Sequence, residues 1–121
     1  MAKILITGGA GFIGSQLGYD LHTNGHDVIL LDNMSFGHED NLVIDGKKFG
    51  TFILDDIRNK SLFEHTKGVD YVFHFAGIAP LPNCQEDPYE AVEINVAGTA
   101  NVLEASRVNG VKRVIFASMS A

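Results

Sequence analysis

The chain has 121 residues, 45% of them apolar, with fifteen acidic against nine basic side chains and a formal charge of −6. That length holds one core and not two, and the apolar share is too high for a disordered chain. The acidic balance argues against a surface that coats nucleic acid or an anionic membrane, and no apolar run approaches the roughly 20 residues of a spanning helix.

In chain order, Met1-Ala2-Lys3 leads directly into Ile4-Leu5-Ile6, without the apolar stretch or cleavage site of a secretory leader. Residues 3–7 read as a β-strand ended by glycines. Residues 12–24 read as a helix with Phe12, Ile13, Leu17 and Leu21 near one face, stopped by Asn24-Gly25. Residues 27–31 form a second, apolar strand, and residues 51–54 a third. Between them, 33–50 is the least regular stretch, predicted mainly as loop with one weak helical turn. A short helix over 60–66 and a fourth strand over 69–75 follow. Asp87, Pro88 and Glu90 mark the N-cap, first and third positions of a long helix with apolar Val92, Val96, Ala100, Leu103 and Val108. Asn109-Gly110 ends it, and 111–117 is the fifth strand. The single cysteine, Cys84, has no partner for an internal disulfide, which fits a reducing cytoplasm. His22 and His26 are four apart, but Gly25 breaks the helix that would align them on a metal.

Strands that alternate with helices, and that are apolar on both faces, predict a parallel sheet covered on each side. Right-handed crossovers with a reversal after the third strand give the order 3-2-1-4-5.

The strongest chemical signal is the run from Thr7 to Gly14, which follows a strand and opens a helix. Gly9, Gly11 and Gly14 fit G-x-G-x-x-G, while Gly8, Gly11 and Gly14 fit G-x-x-G-x-x-G. Either spacing allows a tight turn, lets backbone approach a pyrophosphate at Gly11, and lets the helix pack closely at Gly14. The helix N-terminus then offers free N–H groups and partial positive charge to the anion. Asp32 ends the second strand, where a carboxylate accepts from the adenosine ribose hydroxyls and repels a 2′-phosphate. No Lys or Arg follows before Lys47, so NAD is expected in preference to NADP.

These motifs resemble the extended short-chain dehydrogenase/reductase family, in particular its NAD-dependent sugar-nucleotide epimerases and dehydratases, over essentially the whole chain. The resemblance implies a Rossmann-type sheet and an NAD site built from Gly8, Gly11, Phe12, Ile13 and Gly14 in the nucleotide loop. Asp32, Asn33, Ser35 and Gly37 look like the family's adenosine-side segment. In Asp55-Asp56-Ile57-Arg58, it implies that Asp56 accepts from the adenine amine and that Ile57 offers a backbone N–H. Phe75, Ala76 and Gly77, within Phe73-His74-Phe75-Ala76-Gly77, resemble the strand end beside the cofactor. Asn95 resembles the helix asparagine that props this strand, Ser118 a cofactor contact and Ser120 the catalytic hydroxyl. Read without the resemblance, Asp55 and Asp56 fit a surface acidic pair. Asn95 fits a core amide or a solvent-facing one, and His74 a hydrogen-bonded core histidine.

The family's chemistry also needs a tyrosine with a lysine four residues later, because a phenol that titrates near 10 needs a cation to stabilise its anion. Tyr19, Tyr71 and Tyr89 are followed at that spacing by Thr23, Phe75 and Glu93, so these residues hold no such pair. Residues 1–121 are therefore expected to form one NAD-binding domain, without the family's carboxy-terminal strands and substrate domain and without turnover of its own. A stand-alone, NAD-responsive binding or regulatory module is the alternative. Nucleotide-sugar binding is expected only of the full-length family. Self-association is expected through the fifth strand as a free edge or through the long helix.

Overall fold

The computed structural model describes residues 1–35, 37–77 and 86–116. Cys84, Ser118 and Ser120, and Ala117 at the end of the expected fifth strand, lie outside the described residues. In chain order the strands are β1 (Lys3–Thr7), β2 (Asp27–Asp32), β3 (Val43–Ile44), β4 (Lys47–Lys48), β5 (Thr51–Leu54), β6 (Tyr71–His74) and β7 (Arg113–Phe116). Helix α1 (Phe12–Thr23) follows β1, and a 3₁₀ turn (Glu39–Leu42) precedes β3. Helix α2 (Leu62–His65) precedes β6. A longer helical run then passes through α3 (Pro88–Val92), a π-helical segment (Glu93–Gly98) and α4 (Thr99–Val108).

Five strands form one parallel sheet in the order β5-β2-β1-β6-β7. This is the expected 3-2-1-4-5 arrangement once the antiparallel hairpin β3–β4 is set aside. The pleat splits the apolar strands between two cores. Leu5, Ile29, Leu31 and Val72 point to the face covered by α2 and α4, where Leu62, Ile94, Val102 and Ala105 meet them. Ile4, Ile6, Val28 and Leu30 point to the opposite face, with Phe49 and, from α1, Leu17 and Leu21. The central strand is buried at Leu5 and Ile6 to 0% exposure, so both faces contribute burial worth about 2 kcal/mol per large side chain.

Three expectations change. The irregular stretch contains the 3₁₀ turn and also the hairpin, whose turn residues Asp45 (φ 52°) and Gly46 (φ 77°) are both left-handed. Phe12 and Ile13 do not join Leu17 and Leu21 in the core, since they are 84% and 66% exposed. Helix α1 instead packs by its small residues Gly14, Ser15 and Gly18. The long helix buries Ala91, Ile94, Gly98, Val102 and Ala105, while Val92, Val96, Leu103 and Val108 are exposed. The buried set keeps the spacing of three and four residues through the π-helical segment, so the stripe that faces the core is a neighbouring one, with small residues at Ala91, Gly98 and Ala105, and not the one marked by the valines.

The expected caps are present. Asp87 Oδ1 accepts from the Glu90 N–H at 3.0 Å, with Pro88 at the first turn. Gly25 (φ 88°) and Gly110 (φ 70°) take the left-handed stops after α1 and α4. Among the described residues no helix is long and apolar enough to cross a membrane.

Candidate functional site

A cleft opens at the carboxyl ends of β1, β2 and β6, where the strand order reverses. Gly8, Gly11, Asp32, Asn33, Ser35, Ile57, Phe75, Ala76 and Gly77 line it, together with Leu31, Asp55 and Ile94. An open α/β sheet places ligands at this switch point.

The floor is the turn after β1. The first α-helical hydrogen bond of α1 runs from the Ser15 N–H to the Gly11 carbonyl, at 3.0 Å. The amides of Phe12, Ile13 and Gly14 therefore stand ahead of it at the helix's positive end. No acidic residue lies in the first turn of α1. Gly8 has φ +71°, and a Cβ there would sit 2.9 Å from the Ala76 nitrogen, so the turn and the end of β6 meet backbone to backbone. A Cβ on Gly14 would strike the Gly8 carbonyl oxygen, which fixes how closely α1 lies on the turn.

Asp32 ends β2 with a buried carboxylate. Its Oδ2 accepts from the Ala10 N–H at 3.0 Å and its Oδ1 from the Met34 N–H at 2.8 Å. Each oxygen then keeps a second lone pair, and Asp32 lines the cleft. The loop beyond β2 folds back over the turn: Gly37 passes against Ala10 and Asp32, and the His38 N–H and the Asn41 side-chain amide both donate to the Ala10 carbonyl. Asn33 Oδ1 accepts from the Ser35 N–H, and its amide donates to Asp56 Oδ2 at 3.1 Å.

Asp56 is outside the lining. Arg58 grips both its oxygens, Nη2 to Oδ2 at 2.7 Å and Nε to Oδ1 at 2.9 Å, and the Arg58 N–H adds a third bond. These hydrogen bonds from Arg58 outweigh burial and hold the Asp56 carboxyl at about 2. Burial pushes Asp55 upward, but hydrogen bonds from Ser61, Asn59, the Asp56 N–H and His65 more than offset it and leave it at about 2. Ile57, 3% exposed, anchors this segment in the core, and its carbonyl accepts from Asn101.

Gly77 approaches the π-helical segment: a Cβ there would sit 2.9 Å from Asn95 Oδ1. Thr7 and His74 face each other across β1 and β6, and Thr7 Oγ1 lies 2.6 Å from His74 Nδ1. The structure thus brings the cleft-lining residues together and leaves Phe12, Ile13, Gly14, Gly37, Asp56 and Asn95 around them. Sequence reasoning missed Arg58 as the clamp on Asp56 and Thr99 as a partner of His74. A cation two residues from the carboxylate was the available signal for the first.

Burial alone pushes His74 down to about 4 from 6.5. The folded chain keeps this ring neutral, whereas the unfolded chain binds its proton below 6.5, so stability falls as pH drops from 6.5 toward 4. The full difference approaches about 3 kcal/mol. Asp55 and Asp56 act in a lower window: their contribution is present above 3.8 and is lost as pH falls toward 2. Urea midpoints should decline between pH 6.5 and 4.5 and drop more steeply below pH 3.8. A midpoint constant from pH 7 to pH 4.5 would contradict the reading of His74.

A glycine-rich turn on a helix N-terminus, a strand-end carboxylate beside it and a reversed parallel sheet together define a dinucleotide-binding fold. The profile described as "NAD dependent epimerase/dehydratase family" matches residues 4–121, and the chain belongs to that family. It is 39% identical over 122 residues to a UDP-glucose 4-epimerase of Klebsiella pneumoniae, covering 96% of this chain and 88% of that protein. Among solved structures it resembles the Thermus thermophilus UDP-glucose 4-epimerase complex with NAD, with a TM-score of 0.85 and 38% identity over 97% of this chain and 37% of that one. It also resembles the UDP-glucose 4-epimerase of Stenotrophomonas maltophila with bound NAD and formylated UDP-arabinopyranose, with a TM-score of 0.90, 28% identity, and coverage of 99% of this chain and 38% of that one. Of other curated relatives the chain spans only 35% to 37% of the length.

Proposed function

We propose that this chain binds NAD in the cleft, as the cofactor-binding part of an enzyme that interconverts nucleotide sugars in the manner of UDP-glucose 4-epimerases. One observation carries the reading: the amides of Phe12, Ile13 and Gly14 at the start of α1 stand beside a carboxylate, Asp32, that has one lone pair to spare on each oxygen. The first fits a diphosphate and the second a vicinal diol. Asp32 and the lack of any Lys or Arg between it and Lys47 favour an unphosphorylated ribose. NAD, when bound, supplies a hydride acceptor for a sugar hydroxyl carbon. This chain's residues bind and orient it: Gly8 and Gly11 admit the phosphates, and Ser35 and Gly37 shape the adenosine end. Asn33 meets the adenine side and Ile57 offers its N–H, while Asp56, its four lone pairs taken by Arg58 and Asn33, holds that segment in place, and Phe75, Ala76 and Gly77 flank the nicotinamide half. Ser118 and Ser120 take the cofactor-contact and reacting-hydroxyl roles of the family. These 121 residues contain no Tyr-x-x-x-Lys pair, so by themselves they form a cofactor-binding domain without turnover.

Calorimetric titration tests this. NAD should bind with one site per chain and NADP at least tenfold more weakly, while UDP-glucose plus NAD gives no epimerised product. Absence of heat at millimolar NAD would overturn the reading.

Self-association belongs to the same proposal. Tyr89, Val92, Val96 and Leu103 recur at helical spacing along α3–α4, and all are exposed. Light scattering at micromolar concentration should give a dimer or larger species, and Val96→Glu should return it to a monomer. A monomer from the parent chain would contradict this.

A further inference from the structure

The end of β6 carries a buried hydrogen-bonded chain that the cofactor contacts do not use. Thr7 Oγ1 accepts from the Phe75 N–H at 3.1 Å and the Ala76 N–H at 3.2 Å. The Phe75 N–H is shared with the Thr7 main-chain carbonyl, at 3.0 Å, and both amides can only donate, so the hydroxyl proton goes to the one neighbour that can accept it, His74 Nδ1 at 2.6 Å. At the other ring nitrogen, Thr99 Oγ1 lies 2.9 Å from His74 Nε2 and 2.7 Å from the Asn95 carbonyl. A carbonyl can only accept, so Thr99 donates to Asn95 and accepts from Nε2–H. Every donor and acceptor in the chain is then satisfied by one assignment: a neutral ring with its proton on Nε2. The opposite tautomer surrounds Thr7 Oγ1 with donors alone and leaves its own proton without an acceptor among the described residues, at 0% exposure.

This chain joins three pieces of the cleft. Thr7 directly precedes Gly8 of the phosphate turn, Phe75 and Ala76 form the wall opposite, and Asn95 sits in the π-helical segment against Gly77. We infer that His74 is a positioning residue for cofactor binding: its ring, held by Thr7 and Thr99, sets the spacing between the phosphate turn, the end of β6 and the π-helical segment. The inference rests on the proposed NAD site and adds that side chains off the cleft control its affinity.

Two measurements test it separately. Long-range ¹H–¹⁵N spectra of the unliganded chain should give His74 as the Nε2–H tautomer at pH 6, whatever the cofactor. An Nδ1–H or doubly protonated ring would overturn the inference even if NAD binds. NAD titrations of Thr7→Val, Thr99→Val and the double variant, each well below its melting temperature, form the second. Thr99→Val should weaken NAD about fivefold although Thr99 does not line the cleft, and Thr99→Ser should restore the affinity. Thr7→Val should weaken it at least tenfold. The double variant should be clearly less affected than the product of the two single effects, because both act through one ring. Unchanged affinity in Thr99→Val, or effects that multiply independently, would overturn the inference. If the parent chain itself does not bind NAD, the proposed function fails, and with it the inference that His74 positions the cofactor site, while the ring assignment still stands or falls on the spectra.

Discussion

Asp32→Asn should weaken NAD binding by about one to two orders of magnitude. The carboxylate already holds the Ala10 and Met34 amides, at 3.0 and 2.8 Å, one on each oxygen. Its remaining lone pairs are the ones that meet a ribose diol in the proposed complex. Asparagine keeps one acceptor and replaces the other with an NH₂, which faces a backbone N–H and has nothing to offer a hydroxyl proton. Loss of a charge-assisted hydrogen bond is worth about 1.5–3 kcal/mol, or roughly 10- to 100-fold in affinity. The same change removes the charge that repels a 2′-phosphate, so NADP should lose much less and the NAD preference should shrink. Parallel calorimetric titrations with both cofactors read this. Equal loss for NAD and NADP would mean that Asp32 shapes the turn without reading the ribose.

Gly14→Ala and Gly11→Ala should fail in opposite ways. At Gly14 the new methyl group meets the Gly8 carbonyl oxygen, with the Gly9 Cα at 3.3 Å. Both are backbone, so no side chain can swing away, and α1 has to lift from the turn. A cost of about 3 kcal/mol or more follows, large against the stability of a small domain. At Gly11 the backbone is extended (φ −75°, ψ 172°), and a Cβ would meet only the Gly8 oxygen, at 3.2 Å. That variant should fold to within about 1 kcal/mol of the parent. Its methyl group nevertheless stands where the diphosphate approaches, so NAD affinity should fall at least tenfold. Denaturant unfolding and NAD titration on the two variants separate the roles. A stable Gly14→Ala chain, or a Gly11→Ala chain with parental affinity, would contradict the geometry.

The sheet was legible because each of its strands is a compact apolar run and each helix carries its own stop. Asn24-Gly25 and Asn109-Gly110 end α1 and α4 as read, and Asp87 caps α3. The hairpin was not predicted, although Asp45-Gly46 is a known turn signal. Its strands are two residues each, too short for alternation to register, and Lys47-Lys48 adds no apolar signal. The π-helical turn was invisible for a different reason. Composition does not reveal a shift in backbone hydrogen bonding, and the stripe that faces the core, Ala91, Ile94, Gly98, Val102 and Ala105, is no more apolar by sequence than the exposed one that holds Val92, Val96 and Leu103. At the cleft, the glycine spacing and Asp32 could be read locally. Arg58's grip on Asp56 was available from spacing alone. The partners of His74 were not, because Thr7 lies 67 residues away and reaches the ring only through the parallel register of β1 and β6.

The central claim is that the amides at the start of α1 hold the diphosphate of NAD while Asp32 holds the adjoining ribose. Amide ¹H–¹⁵N spectra of the chain, recorded as NAD is added, address it directly. NAD should give saturable shifts at Gly8, Gly11, Phe12, Ile13 and Met34, with Gly25 and Gly110, which lie at the amino ends of the strands, unmoved. Shifts confined to other surfaces, or none at millimolar NAD, would contradict it.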